Sequence, residues 1–220
     1  MLDKLGKVSL VVVYSAFFIR GVYLLVQSVA GANDLRTAIL VASAGLPSLA
    51  FLGMFAALTI IRLPPVKDSV GWSTRLVAIA GTFVTGLAII LPREQPPILL
   101  YLAAVFSGTL GFGLAAYCLA WLGRSLSIDA QARRLVTGGP YAIVRHPLYL
   151  FEAIGLASIP LSNPKFFAIA LYVMFLALQF WRAKNEERIL SSAFPAYANY
   201  AASVPMLLPR FRRPPLTSGG

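Results

Sequence analysis

The single histidine, His146, stands in the segment Gly138-Gly139-Pro140-Tyr141-Ala142-Ile143-Val144-Arg145-His146-Pro147-Leu148-Tyr149, between apolar stretches long enough to cross a bilayer. Gly138-Gly139-Pro140 is turn chemistry. Pro147 suits the first position of a helix, where a missing amide hydrogen costs nothing. His146 then sits at a helix start beside Arg145. Exposed amides at such an end favour an anionic group such as a carboxylate, and Tyr141 and Tyr149 can stack on a flat ring or a cation. The bland alternative makes Arg145 and His146 interfacial anchors and the tyrosines an aromatic belt.

A second polar cluster, Arg182-Ala183-Lys184-Asn185-Glu186-Glu187-Arg188, follows the last apolar stretch. Arg182 and Glu186 are four residues apart and share one helix face. Glu187 and Arg188 read as ordinary pairs on a solvated helix end. Glu152 falls inside an apolar run, where a carboxylate needs a partner. Arg20, also inside an apolar run, is explained by snorkelling to an interface.

The elements that must position these residues follow from composition. Of 220 residues, 58% are hydrophobic and 12% charged, which makes the bilayer the expected solvent. The net charge of +11 does not point to nucleic acid, because the cations lie in short segments between apolar runs and form no continuous patch. One cysteine, Cys118, allows no intrachain disulfide, and one histidine with one cysteine makes no closed metal site.

Six apolar segments stand out, about 8–29, 39–61, 76–91, 97–121, 148–162 and 165–181, against the roughly 20 helical residues that a span needs. The first contains Arg20 and exceeds a signal-peptide core, so it reads as a retained helix. The fifth and sixth are short and joined by Pro160-Leu161-Ser162-Asn163-Pro164, a tight hairpin turn. The sixth is expected to continue as helix into Arg182–Leu190. Of the 19 lysines and arginines, only Arg36, Arg93 and Lys165 fall in loops opposite the N-terminus, and Arg20 lies within a span. The positive-inside rule therefore puts both termini and both polar clusters in the cytoplasm. The loop 122–146 is longer than adjacent spans require, which marks it as functional or disordered. Gly108, Gly111 and Gly113 read as close-packing positions, and the tail 212–220 as disordered. The expected fold is all-α and polytopic, with about six transmembrane helices and a C-terminal helical hairpin forming the site.

Taken together, Arg134-Leu135-Val136-Thr137-Gly138-Gly139-Pro140-Tyr141, Arg145-His146-Pro147-Leu148-Tyr149, Glu186-Glu187, Phe194-Pro195-Ala196-Tyr197-Ala198-Asn199-Tyr200 and Val204-Pro205 resemble the isoprenylcysteine carboxyl methyltransferase family. These are integral membrane enzymes that use S-adenosylmethionine. The resemblance covers roughly residues 120–211 and is specific in combination; Arg-His-Pro-x-Tyr alone is shared with membrane reductases. It divides the chain into N-terminal helices (1–95), a methyltransferase core (96–211) and the tail. It implies that Leu135, Val136, Tyr141, His146, Pro147, Leu148 and Tyr149 line the cofactor site, with Glu186 closing it. Arg182 is then the arginine set against a substrate carboxylate. Arg182 and Arg145 are the expected catalytic residues, and Arg182 and Glu152 the expected substrate-binding ones. Phe151 departs from the pattern, since many relatives carry glycine there.

Methyl transfer from a sulfonium mainly demands positioning of the reacting atoms at about 3–3.5 Å. A carboxylate acceptor is already ionised near neutral pH, so an arginine to orient it and a carboxylate to hold the cofactor's ammonium suffice. An amine or thiol acceptor also needs a base, for which His146, Glu152 or solvent are available. The expected substrate is a prenylated or otherwise lipophilic molecule entering from the bilayer, retained there by about 0.8 kcal/mol per buried methylene. The competing readings are phospholipid N-methyl or thiol S-methyl transfer, a nicotinamide-dependent sterol or lipid reductase, and a non-enzymatic transporter or scaffold. Transporters, however, place their polar groups near the midplane rather than at one surface.

Overall fold

The computed structural model describes residues 2–67, 76, 77, 80, 81, 84, 96–126 and 132–209. Helix α1 spans Leu2–Ala30 and α2 spans Leu35–Ile61. Between them, Asp34 caps α2 by accepting from the Thr37 amide at 2.7 Å. Pro47 lies within α2, and the helix ends just before Leu63-Pro64-Pro65, where proline withholds the next amide donors. Helix α3, Ile98–Leu122, starts after Pro96-Pro97 and stops at Gly123, whose φ of +52° favours glycine.

The hairpin arm is α4, Pro147–Leu156, and α5, Ser158–Ser162; its return is α6, Phe166–Ala193, followed by the short α7, Tyr197–Ser203. Pro160 sits inside α5 rather than in the turn, which begins at Asn163. It occupies the first turn of α5, where its missing amide hydrogen leaves no bond unmade.

Among the described residues, four helices are long and apolar enough to cross a membrane: Lys7–Ala30, Leu35–Ile61, Ile98–Ser125 and Phe166–Ala193. The arm Pro147–Ser162 is shorter; at 1.5 Å per residue it measures about 24 Å, less than a hydrocarbon core of about 30 Å. The expected third span, 76–91, lies mostly outside the described residues, as does the tail. Of that span, Val84 packs with Leu171 and Phe175 of α6, and Gly81 lies against the Arg182 side chain. By the same arithmetic α6 is about 42 Å long, so its last turns run past the apolar layer, as the polar sequence from Arg182 requires.

Cross-helix contacts fix the directions. Lys7 Nζ donates to the Ile60 carbonyl, so α1 and α2 are antiparallel. Thr109 Oγ1 donates to the Ala44 carbonyl and Arg124 Nε to that of Ile61, so α2 and α3 run parallel. Gly111 meets the backbone of Gly155, and Gly108 faces Ser158, which makes α4 antiparallel to α3. The main apolar core lies among α2, α3 and α4, around Phe51, Phe55, Ala115, Leu119 and Leu148, with Phe151 packed against it. Large side chains facing outward, such as Ile19, Phe106 and Phe166, are apolar and exposed, as lipid contact requires.

One end of the bundle therefore gathers the start of α1, the ends of α2 and α3, the start of α4 and the last turns of α6. The connections there are tied together. Val66 and Lys67 exchange backbone hydrogen bonds with Ala132, and Ala132 packs against Ile189 of α6.

Candidate functional site

At this end, the turn after α3, the segment 133–146, α6 and α7 line a cleft that opens to the surface. Its walls include Leu135, Val136, Tyr141, Arg145, His146 and Glu186, which the motifs single out. They also include Leu122, Ser125, Arg133, Arg134, Leu190, Tyr197 and Tyr200.

Local sequence explains how the wall is held. Gly139 has φ of +58°, and a Cβ there would sit 2.4 Å from the Trp121 ring, so both backbone and space demand glycine. The following 3-10 turn, Gly139–Ala142, buries Tyr141. The Tyr200 hydroxyl donates to the Tyr141 carbonyl at 2.6 Å, and burial pushes the Tyr200 phenol up to about 12, so it remains a donor at any physiological pH. The amides of Arg145 and His146 donate to the carbonyls of Pro205 and Met206 at 2.8 and 3.0 Å. The Val204-Pro205 element thereby fastens the start of α4.

Polar side chains continue from this wall into the bundle. Arg145 places Nε and Nη2 2.8 and 2.7 Å from Glu187 Oε1, and its Nη1 donates to the carbonyls of Ala201 and Val204. His146 is buried, with Nε2 3.3 Å from Glu187 Oε1 and Nδ1 3.9 Å from Glu186 Oε2. Its ring stacks on Tyr149 at 5.5 Å. The Tyr149 hydroxyl donates to Glu186 Oε2 at 2.8 Å. The Arg182 guanidinium lies 4.9 Å over the Tyr149 ring, a cation–π contact. Arg182 Nη1 donates to Gln179 Oε1 at 2.7 Å, and Gln179 Nε2 donates to Glu152 Oε2 at 2.6 Å. The partner that an intramembrane carboxylate needs is thus a glutamine amide, with arginine next in line.

The motif residues consequently divide into three groups. Leu135, Val136, Tyr141, His146 and Glu186 share the cleft. Tyr149, Arg182 and Glu152 form a deeper path joined to it through Glu186. Pro147 and Leu148 are buried, with Leu148 in the α2–α3 core, and neither lines the cleft. Arg145 reaches the cleft, but its donors are engaged by Glu187 and the α7 carbonyls, which suits it to holding the wall together.

Glu187 does more than the surface pair expected of it, since it binds both Arg145 and His146. Gln179 is a link that sequence reasoning missed, and nothing in an apolar stretch distinguishes it beyond being polar. Tyr197 and Tyr200 stand in the Phe-Pro-x-Tyr motif, which assigned them no role; only the structure puts them in the cleft wall.

Comparison with known proteins agrees with this region. Residues 99–196 match the phospholipid methyltransferase family. Over 104 residues the chain is 34% identical to the cobalt-zinc-cadmium resistance protein CzcN of Cupriavidus metallidurans. It is 30% identical over 104 residues to the nickel-cobalt-cadmium resistance protein NccN of Alcaligenes xylosoxydans xylosoxydans. Each alignment covers 47% of this chain and 48% of the relative, so the chain spans about half the length of the curated relatives it matches. The similarity to the phospholipid methyltransferase family is confined to residues 99–196, the segment that supplies most of the cleft wall.

Proposed function

We propose that this protein is a membrane methyltransferase that uses S-adenosylmethionine and methylates a lipophilic acceptor, the carboxylate of a prenylated cysteine or a related isoprenoid. The observation that carries the reading is the convergence of Tyr141, His146 and Glu186 on one cleft, inside the segment that matches a methyltransferase family. That match also favours methyl transfer over the reductase reading of Arg-His-Pro-x-Tyr. The cleft end holds most of the chain's cations, which supports a cytoplasmic orientation, and the bacterial relatives support a bacterial membrane.

The residues present fit the cofactor. Glu186 offers a carboxylate at the cleft for its ammonium, Arg133 and Arg134 bring positive charge for its carboxylate, and Tyr141 turns a buried, unmatched hydroxyl to the same wall. When bound, S-adenosylmethionine would supply a methyl group on a positively charged sulfur, open to in-line attack by an acceptor oxygen. The protein's task is then alignment. Tyr149 anchors Glu186 on one side and carries Arg182 on its ring face on the other, so a single side chain couples the cofactor's end of the path to the acceptor's. Arg182, buried and oriented by Gln179, is placed to hold an acceptor carboxylate by a charge-assisted bond.

A phospholipid amine is the second reading, favoured by the matched family's description. An amine must lose a proton, and Glu152, one glutamine away from Arg182, is the carboxylate deepest in the path and so best placed to receive it.

Incubating membranes that contain the protein with methyl-labelled S-adenosylmethionine, followed by base treatment, separates these outcomes. Base-labile volatile label is expected for the ester, and base-stable lipid label identifies N-methylation. The methyltransferase reading fails if no membrane component is labelled and the purified protein does not bind S-adenosylhomocysteine.

A further inference from the structure

Three hydroxyls at the cleft have no hydrogen-bond partner among the described residues: Ser125 Oγ, Tyr141 Oη and Tyr197 Oη. They arrive from separate elements, namely the turn after α3, the 3-10 turn at Gly139, and α7. All three residues line the cleft, and each is more than nine-tenths buried, at 8%, 7% and 4% exposed respectively. Neighbouring phenols are matched: Tyr149 donates to Glu186 and Tyr200 to the Tyr141 carbonyl. Unmatched hydroxyls are therefore not a general feature of this end of the bundle.

Burying a hydroxyl without a partner lowers stability, whereas alanine or phenylalanine in the same place carries no such penalty. Three such groups around one cleft make sense if a ligand completes them. A hydroxyl both gives and accepts a hydrogen bond, so the matching ligand surface also mixes donors with acceptors, as the ribose and adenine of a nucleoside do. Glu186 and the arginines of the same wall are the complement of the charged amino-acid end.

We propose that Ser125 and Tyr197 are cofactor-binding residues, which with Tyr141 hydrogen-bond the nucleoside portion of S-adenosylmethionine. The inference rests on the methyltransferase reading and adds two residues that the motifs did not assign.

The test uses the 220-residue chain purified in detergent, with S-adenosylhomocysteine affinity measured by calorimetry and the melting temperature measured without ligand. Tyr197→Phe and Ser125→Ala are each expected to weaken S-adenosylhomocysteine about three- to tenfold, the worth of one hydrogen bond. The ligand-free melting temperature should stay the same or rise, because an unmatched hydroxyl has been removed. A merely structural hydroxyl gives the reverse pattern, and a fall in ligand-free melting temperature with unchanged affinity overturns the proposal. So does wild-type affinity in both variants. Failure of the wild type itself to bind S-adenosylhomocysteine overturns the methyltransferase reading and this inference with it, whereas binding by wild type and variants alike overturns only this one.

Discussion

Glu186 and Glu187 are adjacent in sequence but work on different things. Glu187 accepts from Arg145 and approaches His146 from a half-buried position, so it closes a charged contact between the start of α4 and α6. Glu186 is more exposed and faces the cleft, where its bond to Tyr149 leaves the second carboxylate oxygen for a ligand. Glu187→Gln is therefore expected to lower ligand-free stability by about 1–3 kcal/mol, since a charge-assisted pair becomes a weaker one with Arg145 still partly buried. Glu186→Gln is expected to leave the melting temperature within a degree or two and to weaken S-adenosylhomocysteine by about tenfold, the loss of one ionic contact. Melting curves and binding isotherms on both variants check the division; equal effects on both readouts would show that the two carboxylates share one role. The residue scale was only partly readable beforehand. Arg182, His146 and Glu186 announced themselves as polar groups in an apolar chain, whereas Gln179 joins Glu152 to Arg182 and carries no signal that sets it apart from a solvated residue.

Helix α3 carries Gly108, Gly111 and Gly113, and their close-packing role is visible in what a methyl group would meet. A Cβ at Gly111 would lie 2.1 Å from the Gly155 nitrogen, a backbone atom that cannot move aside, whereas at Gly108 the nearest atom is Ser158 Cβ at 3.6 Å. Backbone contact between α3 and α4 at Gly111 sets the depth at which the arm sits, and with it the position of His146 at the arm's start. Gly111→Ala should destabilise the protein by about 1–3 kcal/mol through overpacking. Gly108→Ala fits as ordinary contact and should change stability by less than about 0.5 kcal/mol. Thermal unfolding in one detergent compares the two. A tolerated Gly111→Ala would mean that the helices can separate and that their contact does not fix the site. The glycines are plain in the sequence; which of them touches another helix is not, because facing depends on the rotation of α3 against a partner some forty residues away.

On the scale of the whole molecule, the folded chain makes a membrane bundle with all its recognised polar motifs at one end. The start of α1, the connection at Lys67, the turn at Gly139 and the last turns of α6 share that end, and the Ala32 and Asn163 turns share the other. With the buried Cys118 replaced by alanine, single cysteines at Lys67 or Ser192 should react with a membrane-impermeant thiol reagent only from the cytoplasmic face. Single cysteines at Ala32 or at the exposed Lys165 should react only from the opposite face. Labelling of Lys67 and Ser192 positions from different faces would separate the cleft's walls and end the proposed site. The sequence by itself determined that the chain is built of apolar helices suited to a bilayer and which end carries the charge, because apolar run length, proline and glycine placement and cation bias are local quantities that need no partner. It also brought out the motif residues, through their pattern. Only the tertiary structure decided that Leu135, Tyr141, His146 and Glu186 meet in one cleft, that Leu148 turns into the core, and that Arg145 is held by Glu187. Those outcomes depend on helix rotation and depth, which arise when separate apolar surfaces pack and are written in no single stretch of chain.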